Sequence, residues 1–315
     1  MTFTGVVVAG LQVAFTIAAA PTLVGWMRVV RARLEGRAGP PIRQPWRDLR
    51  KWFAKERIVS EHTGWLFSVT PLVLAGSALL VAALVPTLST ASSLDQVGDL
   101  FAVVYLLLVG TVCLSLAGLD TGTAFGGMGA SREMTITAIA EPTVLVAIFA
   151  LSVGAGSSNL GAIVTATQSR PSAAASPTSL LAFAALAVVT IAETGRIPVD
   201  NPSTHLELTM IHEAMTLEFA GPDLALIELA AHLRLVIFLA LLANLFVPWG
   251  IATTAQPLQL AAATAAIVFK LVVFATIIAI IEVSLAKVRL FRVPELLAAS
   301  FVLAFLAVTA SFFLS

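Results

Sequence analysis

An all-α integral membrane protein is the fold class this sequence predicts, and three observations predict it. The chain of 315 residues is 58% hydrophobic with a mean hydropathy of +0.97. Only 11% of it is charged, against about 25% in water-soluble domains, so most of its surface must face lipid or other membrane helices. The apolar residues fall into eight runs near the ~20 residues a helix needs to cross the hydrocarbon core. Finally, ten of the eighteen Lys and Arg residues crowd between Arg28 and Arg57, an asymmetry that assigns sides to a membrane protein.

The first run, Phe3 to Val30, has no charged region before it and is too long for a signal peptide, which predicts a retained membrane helix. Seven more follow: Trp65 to Thr90, Asp99 to Leu119, Met134 to Gly156, Pro177 to Thr194, Leu224 to Trp249, Leu258 to Lys287 and Pro294 to Ser315. Backbone groups find no water in lipid, and the runs are too long and too evenly apolar for barrel strands, so helices are the solution. One polytopic membrane domain therefore covers residues 1–315.

Eight spans place both termini on one side. With the basic loop, residues 31–63, in the cytoplasm, the segments around Arg132, Arg196 and Lys287 to Arg292 are cytoplasmic too, and Arg234 counts at a cytoplasmic helix end. Sixteen of the eighteen basic residues then lie inside, Arg170 lies outside and Lys270 falls within a span. The expectation is a bacterial cytoplasmic (inner) membrane protein with both termini on the non-cytoplasmic side.

Within the basic loop, Gln44 to Ile58 mixes Trp46, Leu49, Trp52, Phe53 and Ile58 with Arg and Lys at helical spacing, as in an amphipathic helix lying at the interface. The external segments Ser92 to Gly98 and Gly156 to Pro177 read as plain connectors. An acidic cytoplasmic loop, residues 195–222, carries Arg196, Asp200, His205, Glu207, His212, Glu213 and Glu218. Pro198 and Pro202 break it, Ser203 or Thr204 is positioned to restart a helix, and Thr204 to Phe219 has helical periodicity. Such a helix lines a polar cavity or presents a solvated face.

Ionisable residues within a span cost at least about 2.5 kcal/mol, so each needs a partner, a water-filled cavity or a task. Glu141, Glu193, Glu228, His232, Lys270 and Glu282 are of this kind. Glu228 and His232 stand four apart and share a helix face, where a carboxylate and an imidazole exchange a proton readily. Lys270 and Glu282, about 18 Å apart on one helix, must pair with other helices. Snorkelling to the interface competes with burial for Glu141, Glu193 and Glu228, and a structural ion pair competes with function for Lys270.

Several chemistries are excluded. Cys113 is the one cysteine and supplies no iron–sulfur cluster or structural zinc by itself,. His212-Glu213 lacks the second His of a zinc-protease helix. Gly126-Gly-Met-Gly129 has no strand before it and reads as a flexible turn rather than a nucleotide cradle. No complete active site stands out in the chain.

Two stretches carry a resemblance. Gly36-Arg-Ala-Gly-Pro40, Gln44-Pro45, Asp48-Leu49, Lys51 and Lys55-Glu56 resemble the first cytoplasmic loop of the H-type membrane subunits of respiratory complex I. Ala192-Glu-Thr-Gly-Arg-Ile-Pro-Val-Asp-Asn-Pro202, Glu207-Leu208 and Glu218-Phe-Ala-Gly221, followed by Glu228, are similar to that family's signature loop. The departures at Gly195, Val199, Ser203 and His205, with the versions Thr204 to Met215 and Gly129 to Met134, look instead like the corresponding subunit of formate-hydrogenlyase and hydrogenase-4-type nickel–iron hydrogenases.

This resemblance implies an anchoring and coupling subunit that joins a peripheral redox arm to antiporter-like membrane subunits. The partners implied are hydrogenase large and small subunits and a ferredoxin-like iron–sulfur subunit. The nickel–iron centre and iron–sulfur clusters are expected in those partners, with no cofactor in this chain. Arg37, Gln44, Asp48, Lys51 and Arg196 are candidates for the partner interface, with Asp200 beside them. Glu141, Glu193, Asp200, Glu207, Glu218, Glu228, His232 and Lys270 are candidates for a proton or coupling path, and Glu133 is positioned to exchange roles with Glu141. The alternative implied is a quinone-site subunit of an NADH–quinone oxidoreductase-like complex, with Trp46, Phe53 and Asp200 enclosing the headgroup.

Overall fold

The computed structural model describes residues 3–200 and 210–314, and among them the regular structure is helical. In chain order the helices are α1 (Phe3–Leu34), α2 (Gln44–Phe53), α3 (Trp65–Leu84), α4 (Leu100–Asp120), α5 (Ala124–Ala155), α6 (Leu160–Ser169), α7 (Pro171–Ala174), α8 (Pro177–Glu193), α9 (His212–Thr216), α10 (Gly221–Phe246), α11 (Pro257–Ser284) and α12 (Val293–Leu314). Among the described residues seven helices are long and apolar enough to cross a membrane, and the remaining apolar run forms α8, with 17 residues. At ~1.5 Å per residue α8 is about 25 Å long, a little short of the ~30 Å hydrocarbon core.

Helix α10 is the axis of the molecule, packing against α1, α2, α3, α8 and α11. From Leu235 to Phe246 every residue is buried, the signature of a helix enclosed on all sides rather than one with a lipid-facing stripe. Helices α1 and α11 pack together on one flank. On the other, α3, α4, α5 and α12 pack in succession, and α12 also covers α8. The outward faces keep large apolar side chains exposed, among them Leu72, Tyr105, Phe269 and Phe305, as a lipid-facing surface requires.

Five sequence expectations are corrected by this architecture. The glycine segment Gly126-Gly-Met-Gly129 is helical, and α5 begins at Ala124, capped by the Thr123 side chain, instead of at Met134. The glycines there serve close approach: a Cβ at Gly126 would meet the Gly118 carbonyl oxygen of α4 at 2.3 Å, and one at Gly129 would meet the Ile211 carbonyl oxygen at 2.9 Å. The supposed connector after Gly156 contains α6, which Asn159 caps and whose Leu160, Ile163 and Val164 are buried. Helix α3 stops at Leu84 short of Pro86, and α2 stops at Phe53 rather than Ile58. Of the helix expected from Thr204 to Phe219, the described part forms only α9; Ser203, Thr204, His205 and Glu207 lie outside the described residues.

The loop between α1 and α2 folds back onto α1. A Cβ at Gly25 would lie 1.9 Å from the Ile42 carbonyl oxygen, and Gly39, at a φ of 72°, would meet Ala32 at 2.8 Å. This backbone-on-backbone contact sets α2 against α1 and α10, with Pro45 and Leu49 turned inward. Gly25→Val is therefore expected to displace α2 and to destabilise the protein by roughly 1–3 kcal/mol, the usual range for overpacking. Thermal unfolding of the purified protein checks this, with Gly10→Val, where a Cβ meets nothing, as the variant expected to melt like the parent.

Candidate functional site

Arg234, about 20 Å along α10 from Gly221 at the usual rise, organises the interior. Its Nη2 pairs with Glu193 at the end of α8 and lies 3.4 Å from Glu141 Oε1 on α5. Its Nη1 donates to the Thr111 hydroxyl on α4 at 2.6 Å. Its guanidinium carbon stands 5.9 Å from the centre of the Phe238 ring. Four helices thus meet on one cation. The side chains of Glu141 and Glu193 are only 5% and 3% exposed, so these carboxylates are buried rather than snorkelling.

Above this cluster is a cavity of about 80 Å³ lined by Glu133, Glu193, Asp200, His212 and Arg234 together with apolar residues such as Leu107 and Ile136. A larger chamber of about 630 Å³ adjoins it, lined by Arg28, Arg31, Arg37, Arg196, Glu228 and His232 among others. Thr194, Gly195, Asp200, His212 and Ala231 border both. These adjoining spaces make a passage from a vestibule lined by four arginines and four carboxylates, where Arg28 and Arg37 are exposed, to an interior that holds the buried Glu193 beside Arg234. Gly195, at a φ of 59°, lets the chain turn sharply at the boundary between them.

The loop after α8 is tied to α11. Arg196 Nη1 bonds Glu282 Oε1 at 3.1 Å, and Lys287 Nζ donates to Asp200 Oδ1 at 2.9 Å. The other Asp200 oxygen accepts from the His212 backbone N–H at 3.3 Å. Glu282 finds a partner on another part of the chain, as its placement within a span requires. On α10, Glu228 Oε2 and His232 Nε2 are 3.8 Å apart, while His232 Nδ1 is buried with no hydrogen-bond partner among the described residues.

Not every candidate joins this site. Glu218 follows α9 in a turn and is exposed, and Glu207 lies outside the described residues. Lys270 sits in a separate cluster, donating to Asn244 Oδ1 at 3.1 Å with its ammonium 5.0 Å from the centre of the Trp249 ring; Asn244 is about 15 Å beyond Arg234 along α10. In the basic loop Gln44 donates to Asp48 at 2.8 Å, and Arg28 lies 3.5 Å from Asp48. Lys51 is exposed on the same helix, and Arg37 pairs with Glu35. Trp46 and Phe53 line a groove whose walls do not include Asp200.

Arg234 was the residue that charge counting mislaid: it is a buried hub, not a helix-end charge. Its position well inside the apolar run from Leu224 was the available signal, because a guanidinium there demands acids on neighbouring helices.

A multi-pass helical membrane protein, with a buried arginine at the foot of a polar passage, is the class that this fold and site define. Residues 6–312 match the NADH dehydrogenase family, and the chain belongs to that family. It is 33% identical to formate hydrogenlyase subunit 4 of Escherichia coli (strain K12), covering 94% of this chain and 95% of that protein. It is 32% identical to hydrogenase-4 component C of the same organism, over 96% of this chain and 94% of that one. The H subunit of NADH-quinone oxidoreductase from Burkholderia vietnamiensis (strain G4 / LMG 22486) is 30% identical over 75% of this chain and 68% of its own. A chain from the membrane-bound sulfane sulfur reductase, an archaeal respiratory membrane complex, shares the fold with a TM-score of 0.84 at 22% identity, covering 96% of this chain and 98% of that one.

Removing one partner from a buried ion pair strands the other charge, a loss of about 3–5 kcal/mol. Arg234→Met is expected to lower stability by that amount, and the combination with Glu141→Gln and Glu193→Gln to recover much of it. Melting of the parent and both variants in detergent measures the two effects; equal melting of all three would contradict the pairing.

Proposed function

We propose that this chain is the anchoring and coupling subunit, the heel, of an energy-converting nickel–iron hydrogenase or formate hydrogenlyase-type complex. What supports the reading is the likeness to formate hydrogenlyase subunit 4 along nearly the whole chain, joined to a passage leading from a vestibule of mixed charge to buried carboxylates. In this reading the cytoplasmic face, with Arg37, Gln44, Asp48, Lys51 and Arg196, grips the hydrogenase large and small subunits and a ferredoxin-like iron–sulfur subunit, basic surface meeting acidic partners. Those partners carry the nickel–iron centre and the iron–sulfur clusters, and antiporter-like subunits adjoin in the membrane. The complex lies in the bacterial inner membrane, with both termini of this chain on the non-cytoplasmic side.

Coupling is electrostatic in this proposal. Charge arriving on a nearby cluster alters the field at the loop bearing Arg196 and Asp200. That loop closes the inner cavity and is held to α11 by Glu282 and Lys287. A field change there acts on Glu133, Glu141, Glu193 and Glu228, because charges interact strongly where water is excluded. Glu228 and His232 stand on the vestibule side, and Asp200 and His212 lie between it and the interior. Glu207, Glu218 and Lys270 remain coupling candidates on the likeness alone, with Lys270 acting from its own cluster.

Two measurements test this. Tagged chain purified from membranes is expected to bring with it subunits containing nickel and iron–sulfur, and the double reversal Arg37→Glu with Lys51→Glu is expected to reduce that recovery; a chain that purifies alone in active form refutes the assignment. Glu228→Gln is expected to slow proton movement by the assembled complex about 10²-fold, the scale of losing one proton-transfer group. Unchanged proton movement and hydrogen evolution remove Glu228 from the path.

A further inference from the structure

We propose that the outer face of α2 and the groove between α1 and α11 form one binding site for an anionic membrane phospholipid, phosphate on the arginines and acyl chain in the groove. Arg43, Arg47 and Arg50 project from a single face of α2 together with Trp46 and Phe53, since these positions recur at three- and four-residue spacing. All three arginines are exposed, and none is ion-paired among the described residues. The only acid on α2, Asp48, is engaged by Gln44 and Arg28. Three unpaired guanidinium groups a helical turn apart constitute a phosphate-binding surface.

The arginines border a cleft of about 1000 Å³ whose walls include Ile17, Thr22 and Ile42. Thr22 and Ile42 also border a second groove of about 350 Å³, which runs between α1 and α11 past Phe15, Ala19, Leu23 and Val268. The second groove is apolar and narrow because Ala18 and Ala19 leave room between the helices. Charge and apolar length are therefore continuous, as an amphiphile requires. A soluble partner protein would match the arginines but leave the groove unexplained.

The depth is also right. Twenty residues of α1 counted from Phe3 cross about 30 Å and end at Thr22, so α2 lies where hydrocarbon gives way to headgroups. Two indoles frame the site there: Trp46 Nε1 donates to the Thr22 hydroxyl at 3.0 Å, and Trp26 Nε1 donates to Thr276 on α11 at 3.0 Å. Each arginine near an anionic surface contributes about a fivefold gain in affinity, so three contribute about a hundredfold.

The test uses the full chain in phosphatidylcholine nanodiscs, titrated with phosphatidylglycerol bearing brominated acyl chains, which quench nearby indoles. Quenching is expected at far lower mole fractions than with brominated phosphatidylcholine, to need about a hundredfold more lipid in Arg43→Gln/Arg47→Gln/Arg50→Gln, and to lose its Trp46 component in Trp46→Phe. Ala19→Trp, which fills the groove and keeps every charge, is expected to abolish headgroup preference at the same site. Equal quenching by the two lipids in the parent overturns the proposal. So does extraction of a quinone instead of phospholipid from the native complex, or loss of a partner subunit with lipid retention unchanged in the arginine triple variant.

Discussion

A single guanidinium in the middle of an apolar bundle constrains everything around it. Isolated in hydrocarbon, Arg234 would be intolerable; with Glu193, Glu141 and Thr111 on three other helices, it fixes α4, α5 and α8 against α10. Buried ion pairs are weak evidence for stability, because desolvation offsets most of their attraction. A comparably shaped apolar core would hold four helices at least as well. What the ion cluster adds is geometry: the helices meet in one register, and a polar cavity results where lipid-like packing would have closed the space.

That cavity exists because bulk is withheld around it. Gly126 and Gly129 bring α5 close to α4 and to the backbone at Ile211, and Gly195 turns the loop that closes the cavity. Phe67 and Phe219, stacked with ring centres 4.0 Å apart, hold the chain after α9 against α3. The loop is then tied to α11 through Arg196 and Asp200. Small residues, an aromatic stack and two ion pairs thus hold a non-helical segment at the mouth of the passage, where irregular backbone is tolerable because it lines a polar space.

Much of this was legible in the sequence, and for identifiable reasons. Span lengths follow from bilayer thickness, so the helices were readable from apolar run length alone. Glu282 and Lys270 announced partners elsewhere in the chain because neither reaches the other along α11; Lys270 meets Asn244 on α10, whereas Glu282 pairs with Arg196 in the loop after α8 rather than with another helix. Less legible were features set by tertiary contact. Helix α6 hides in a Ser- and Ala-rich stretch whose periodicity is weak, and its burial depends on α5 and α10. Gly126 to Gly129 carries poor helix propensity, overridden by packing against α4. Arg234 was absorbed by a charge-counting rule that concerns loops, although its depth in the run was visible. The separation of Lys270 from the acidic cluster needed the three-dimensional path of α10.

Ionisable groups of both signs run the length of the passage. Four arginines and four carboxylates line the vestibule, the inner cavity sets Glu133, Glu193 and Arg234 among apolar walls, and Asp200 and His212 border both. Around Arg234 stand Glu133, Glu141 and Glu193, more acids than cations among the described residues. The net charge of such a pocket is set by how many protons it holds. Two unit charges 10 Å apart interact by about 1.7 kcal/mol at an effective dielectric constant of 20, and by only about 0.4 kcal/mol in bulk water. A charge at that distance therefore acts about four times more strongly on such groups inside the protein than it would in solvent. Burial of the carboxylates is the physical condition that makes them sensitive to charge at such distances.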